Sequence, residues 1–156
     1  MLIKGITDED FVNYKLPSMY IATATCSFKC DKEYGQPICQ NSELARQPAV
    51  EIDDEKIVER YTRNPITKAV VFGGLEPMDQ WQDILYLIAL LRNVDDDIVI
   101  YTGYDKDEID YCLPYFMNYK NIVFKFGRYI PGQQPHYDPV LGVYLASDNQ
   151  YAERIS

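Results

Sequence analysis

Four short apolar runs in this chain each end against a glycine or a cysteine, and helical stretches separate them. Met19–Thr25 runs into Cys26, Ala69–Phe72 into Gly73-Gly74, Asp97–Thr102 into Gly103, and Ile122–Phe126 into Gly127. Asp53 predicts the N-cap of a helix with Ile57, Val58 and Tyr61 on its apolar stripe, fading near Asn64-Pro65. Asp79 predicts a second cap, before a helix apolar at Ile84, Leu85, Ile88 and Leu91. Asp105 opens a third helical stretch through Ile109 and Cys112, interrupted at Pro114. A fifth strand is expected over Gly142–Ala146, after a loop from Arg128 to Asp138. Strand and helix alternate along the chain, which predicts βαβ units, a mainly parallel sheet and right-handed crossovers. A closed eight-fold barrel takes about 250 residues. The 156 residues here suffice for part of one, a single α/β domain with an open, curved sheet. Ligand sites in such folds gather at the carboxyl ends of the strands. Cys26, Gly73-Gly74, Thr102-Gly103 and Gly127 are therefore expected on one rim.

The cysteines carry the strongest chemical signal. Cys26, Cys30 and Cys39 lie in Cys26-Ser-Phe-Lys-Cys30-Asp-Lys-Glu-Tyr-Gly-Gln-Pro-Ile-Cys39. No apolar leader is read at the charged N-terminal segment, and the apolar stretch Leu85–Leu91 is too short to span a membrane. The expected compartment is the cytoplasm, where clustered cysteines serve as metal ligands or redox groups more often than as disulfides. The trio is compatible with an iron–sulfur cluster, with zinc, or with metal-free thiols. Structural zinc takes four protein ligands, usually with CxxC spacing. The single histidine, His136, is distant and reads as a surface side chain, and Cys112 reads as a buried apolar thiol. A net charge of −9 opposes binding to a phosphate backbone, so no nucleic-acid partner is expected.

The remaining motifs each admit two readings. Gly73-Gly74 lets backbone approach a ligand without a Cβ in the way, and Glu76 offers a carboxylate to an ammonium; a plain strand-to-helix turn explains the same residues. Thr102 suits a ribose or a polar strand end. Ser147-Asp148-Asn149-Gln150 suits contacts at the rim or a solvated turn. Asp95-Asp96-Asp97 reads as a solvated turn before a strand, and the 14 tyrosines as core-edge or interface residues.

Taken together, these segments resemble the radical S-adenosylmethionine superfamily, and most of all the small activating proteins of anaerobic ribonucleoside-triphosphate reductase. Asp10-Phe-Val-Asn13 followed by Ser18-Met-Tyr-Ile21 resembles the opening of those activases. Cys26-Ser-Phe-Lys-Cys30 is similar to the start of their CxxxCxxC motif, and Ile38-Cys39-Gln40-Asn41 to its end. Val71-Phe-Gly-Gly-Leu-Glu-Pro77 resembles a GGEP turn, Tyr101-Thr-Gly-Tyr104 a YTGY segment, and Gly127-Arg-Tyr129 and Ser147-Asp-Asn-Gln150 the late glycine–aromatic and S-x-N-Q segments. The chain departs from the pattern in four places. Residues from Asp31 to about Gln36 lengthen the cysteine motif, and Leu75 lengthens the glycine turn. Phe126 stands where an aspartate is usual, and an arginine before the S-x-N-Q segment is missing.

The resemblance implies a partial, open (β/α) barrel of the radical S-adenosylmethionine type. It implies a 4Fe–4S cluster on Cys26, Cys30 and Cys39 whose open iron chelates S-adenosylmethionine, with no further catalytic side chain. Gly73, Gly74 and Glu76 would hold the methionine ammonium and Thr102 would border the ribose; Ile38, Asn41, Ser147 and Asn149 complete the implied cofactor contacts. Reductive cleavage would give a 5′-deoxyadenosyl radical, the cofactor carrying the hard chemistry. The implied partners are a glycyl radical enzyme as protein substrate and a flavodoxin- or ferredoxin-type electron donor. An enzyme acting on a small molecule or peptide, and a non-enzymatic zinc or iron–sulfur module, are the alternatives.

Overall fold

The computed structural model describes residues 1–156. The strands are β1 (Leu2–Asp10), β2 (Ser18–Thr23), β3 (Val50–Glu51), β4 (Ala69–Gly74), β5 (Asp97–Tyr101), β6 (Ile122–Phe126), β7 (His136–Asp138), β8 (Val143–Leu145) and β9 (Tyr151–Arg154). The helices are α1 (Lys29–Tyr34), α2 (Ser42–Arg46), α3 (Asp54–Arg63), α4 (Trp81–Leu91) and α5 (Leu113–Phe116). Seven strands make one open sheet in the order β3-β1-β2-β4-β5-β6-β9. β2, β4, β5 and β6 run parallel in its centre. β1, β3 and β9 pair antiparallel at its flanks, so the sheet is mixed rather than mainly parallel throughout.

The four central strands form where the sequence places continuous apolar runs, because both of their faces are covered. Val70, Phe72, Ile98, Ile100, Ile122, Phe124 and Phe126 belong to the larger core, under α3, α4 and α5. Ala69, Val71, Val99 and Val123 alternate with them and meet Tyr14, Leu141 and Leu145 on the other face. Full burial of each such side chain contributes roughly 1.5–3 kcal/mol. Phe124 is central to the larger core, its ring edge-on to Phe116 at 5.2 Å and stacked on Phe126 at 5.4 Å.

α3 buries Ile57 and Tyr61, one turn apart, and stops at extended Asn64 before Pro65. Its predicted cap, Asp53, makes no capping bond; it pairs with Lys56 across an exposed turn. α4 buries Ile84, Leu87, Ile88 and Leu91, with Leu85 only half-covered. Asp79 does not cap it. A 3-10 turn, Pro77–Gln80, precedes the helix, and Glu76 caps that turn by accepting from Met78 N–H. The third helical stretch is likewise split. Asp105 and Glu108 form a capping box on a 3-10 turn, Lys106–Ile109, and Pro114 lies in the first turn of α5, where it begins a helix instead of interrupting one.

Three further expectations are corrected. The fifth strand is β8, which pairs only with β7 in a separate ribbon, so it does not extend the main sheet. The loop from Arg128 ends early, since His136–Asp138 is the other half of that ribbon. The acidic run is only partly solvated: Asp96 accepts from Tyr61 Oη at 2.6 Å, while Asp97 accepts from Tyr14 Oη at 2.8 Å and pairs with Arg154 at 2.9 Å. No helix is long and apolar enough to cross a membrane.

Candidate functional site

The carboxyl ends of β2, β4, β5 and β6 open onto one cavity of about 330 Å³, within the size range of small-ligand sites. Cys26, Cys30 and Cys39 line it from the segment after β2. Gly74, Leu75 and Glu76 line it from the end of β4, Tyr101, Thr102 and Gly103 from the end of β5, and Lys125 from β6. Tyr144, Leu145, Ala146 and Gln150 close it from the ribbon and the turn that follows. Of the expected rim, Cys26, Gly74, Thr102 and Gly103 share this cavity, whereas Gly73 packs against Tyr20 and Gly127 against Asn149 and Gln150 outside it.

The cysteine segment is a folded unit, not an open loop. Phe28, held at φ 53°, precedes α1, and its N–H points at Cys26 Sγ at 3.2 Å. The residues that lengthen the cysteine motif form most of α1, which Gly35 ends in a left-handed cap at φ 76° with its N–H on the Asp31 carbonyl. Asp31 Oδ1 then accepts from the N–H groups of both Ile38 and Cys39, each at 2.8 Å. Cys30 and Cys39 both line the cavity, and Cys39 stands close enough to Cys30 to disfavour its thiolate. Burial pushes the Cys26 thiol up to about 12, with the carboxylates of Glu76 and Asp79 adding to the effect. Burial also raises Cys30, with Cys39 next among the causes. Such surroundings disfavour a freely reactive thiolate. No three His, Cys, Asp or Glu side chains draw together tightly enough for a single metal ion.

Asp79 ties this unit to the rest of the rim. Its carboxylate accepts Ser27 N–H at 2.5 Å and Tyr104 Oη at 2.6 Å. Lys29 lies 4.8 Å over the Tyr104 ring and pairs with Glu108 at 2.8 Å. Arg128 donates to the same Glu108 oxygen at 2.6 Å. The Arg128 hydrogen bond, followed by the Lys29 one, holds the Glu108 carboxyl down to about 2. None of Asp79, Tyr104, Glu108 and Arg128 stood out as a site residue in the sequence; their pairing depends on three separate loops meeting.

Gly73 and Gly74 are required by close approach. A Cβ on Gly73 would stand 2.7 Å from the Tyr20 hydroxyl, and one on Gly74 would stand 3.0 Å from the Ala22 backbone, at φ 89°. Asn41 Nδ2 donates to the Gly74 carbonyl at 2.6 Å, fixing the segment after Cys39 to the end of β4. Glu76 is buried and rich in partners. Oε1 accepts from Thr102 Oγ1 at 2.6 Å and from Met78 N–H at 3.0 Å, and Oε2 accepts from Gly103 N–H at 2.8 Å. Burial raises its pKa, while these three donors oppose the rise. A carboxylate offers about four lone-pair positions, so Oε2 keeps one acceptor position for a donor in the cavity. The Thr102 hydroxyl also accepts from Tyr104 N–H at 3.0 Å, which makes it a strut between β4 and β5.

Ile38 and Asn41 line the main cavity, whereas Ser147 and Asn149 do not. Ser147 Oγ bonds Asn149 Oδ1 at 2.8 Å, and Asn149 Nδ2 bonds the Arg128 carbonyl at 2.8 Å, bracing the loop after Gly127. Asn149 borders a second cavity of about 240 Å³ behind Cys30 and Ile38. Gln150 is the member of that segment that reaches the main cavity. His136 and Cys112 border neither cavity. Cys112 is fully buried, its thiol donating to the Ile109 carbonyl at 3.1 Å.

Lys125 is the residue that sequence reasoning missed most plainly. It is 7% exposed and donates to the Gly127 carbonyl at 2.7 Å. Burial lowers its ammonium to about 8, and the Glu76 carboxylate pulls the other way. A lone lysine inside the apolar run Ile122–Phe126, near the carboxyl end of a strand, was the available signal.

No protein-family model matches this chain, and neither the curated proteins nor the solved structures give a significant match.

Proposed function

We propose that this protein is a radical S-adenosylmethionine enzyme of the activase type, its open sheet a partial (β/α) barrel and its setting the anaerobic cytoplasm. One observation carries the reading: three cysteines after β2, Gly74 and Glu76 after β4, and Thr102 after β5 come from separate parts of the sequence and meet around one cavity. The donor set fits a cluster with one open iron, since three thiols line the cavity while Cys112 and His136 stay outside it. Cys26, Cys30 and Cys39 would ligate the 4Fe–4S cluster. When bound, the cluster and S-adenosylmethionine supply reductive cleavage of the sulfonium to a 5′-deoxyadenosyl radical.

The chain's own residues bind, orient and shield. Glu76 Oε2 and the Gly74 backbone would accept from the ammonium of the ligand. Thr102 holds the Glu76 carboxylate still while it does so. The Asp79–Tyr104 contact keeps the first two cysteines against this acceptor. The natural substrate is a glycine of a partner enzyme, a glycyl radical enzyme of the anaerobic ribonucleotide reductase kind, with a flavodoxin- or ferredoxin-type protein as electron donor. A second reading, a small-molecule or peptide substrate, draws support from the ribbon residues Tyr144 and Leu145, which close the cavity from the side.

Anaerobic reconstitution with iron and sulfide tests the proposal. About four irons per chain are expected, and addition of S-adenosylmethionine with a strong reductant should release 5′-deoxyadenosine. In Cys39→Ser, release should cease while the circular dichroism spectrum stays unchanged. Bound zinc with no cleavage in the wild type overturns the reading in favour of a non-enzymatic module. A glycyl radical signal on a co-purified partner selects the activase over the small-molecule enzyme.

A further inference from the structure

We infer that Asp31 is a positioning residue: by gathering the N–H groups of Ile38 and Cys39 on one carboxylate oxygen, it brings a distant third cysteine back to the first two. The inference rests on the reading of Cys26, Cys30 and Cys39 as one ligand set, and it explains how the lengthened motif still yields such a set. α1 buries no residue, so packing does not decide where the chain goes after it. The segment from Gly35 to Pro37 is exposed. What turns the chain is Asp31, used twice. Its carbonyl accepts Gly35 N–H at 2.9 Å and closes the helix. Its side chain then accepts Ile38 N–H and Cys39 N–H, both at 2.8 Å. One side chain therefore fixes both ends of the added turn.

No cationic side chain pairs with Asp31; its Oδ1 accepts the two N–H groups and, at 3.9 Å, the Cys30 thiol. On the far side of Cys39, Asn41 bonds the Gly74 carbonyl at 2.6 Å. Cys39 is thus clamped between Asp31 on α1 and the Asn41 bond to Gly74 at the end of β4. The clamp consists only of protein atoms, so Cys39 is held in place before any cluster arrives.

The test needs no metal. Reduced, metal-free protein is treated anaerobically with dibromobimane, a reagent that bridges neighbouring thiols, and the bridged peptides are identified by mass spectrometry. Each of the two thiols displaces one bromide of the reagent, so no oxidant is involved. Cys30–Cys39 bridging is expected in the wild type. Asp31→Ala should slow it about tenfold or more, the equivalent of one hydrogen bond to a charged group. Asp31→Asn keeps an acceptor oxygen and should restore most of the rate, and Lys32→Ala, an exposed neighbour on α1, should not change it. Iron uptake on reconstitution should follow the same order. Equal bridging in Asp31→Ala and wild type overturns the inference, as does a wild type that does not bridge Cys30 to Cys39. If bridging depends on Asp31 while no variant takes up iron, the positioning role stands and the cluster reading falls.

Discussion

The two faces of the central sheet are built on opposite principles. Beneath the helices, the buried apolar residues of four strands pack into one contiguous core. On the other face, a much smaller cluster packs the amino-terminal half of those strands, and the carboxyl-terminal half is left as a cavity. One face gains its stability from burial. The other holds buried polar and ionisable groups, among them Glu76, Thr102, Lys125 and Gln150, in fixed positions by hydrogen bonds. The contrast teaches that stability and site geometry are separable here, and three substitutions probe how far.

The largest effect belongs to the packed face. Phe124→Ala removes a fully buried ring and its two aromatic neighbours' contacts, and should lower unfolding free energy by about 3–5 kcal/mol in urea titration. A loss under 1 kcal/mol would mean that the helix face is not the stabilising one.

Next comes a gain. The Lys125 ammonium is lowered from 10.5 to about 8, so charging it opposes folding. That penalty is fully present below pH 8 and vanishes above pH 10.5. The shift corresponds to at most about 3–4 kcal/mol, at roughly 1.4 kcal/mol for each factor of ten. Lys125→Met should therefore be more stable than the wild type at pH 7 by about 2–3 kcal/mol, the advantage shrinking by pH 10. Thermal unfolding of both proteins at the two pH values decides it; an unchanged advantage would show that the ammonium is not penalised.

The smallest effect tests the strut. Thr102→Val deprives buried Glu76 of one donor while Met78 and Gly103 N–H groups remain. About 1.5 kcal/mol should be lost, the low end for a hydrogen bond to a charged group. Denaturant midpoints measure it, and no loss at all would mean that the hydroxyl carries nothing.

The same contrast decides what could be read from the sequence. β4, β5 and β6 were legible because their apolar runs, broken only by Lys125, stop at glycine. β1 was not, since Lys4, Thr7, Asp8 and Glu9 interrupt it and only two of its residues pair with β3 on its outer side. β9 carries Glu153 and Arg154 within four residues, with no apolar stretch to announce it. At the site, the meeting of Cys26, Gly74 and Thr102 followed from strand ends alone. The tie between Glu76 and Thr102 did not, because it depends on the register of β4 beside β5. Ser147 and Asn149 were expected to touch a ligand, but their side chains brace a loop outside the main cavity.

The outer strands have a consequence for association. β3 is two residues long, and β9 bears Glu153 and Arg154, which are engaged by Lys106 and Asp97. Neither flank offers a long apolar template on which a second molecule could continue the ladder. Growth into fibres by sheet extension is thereby discouraged.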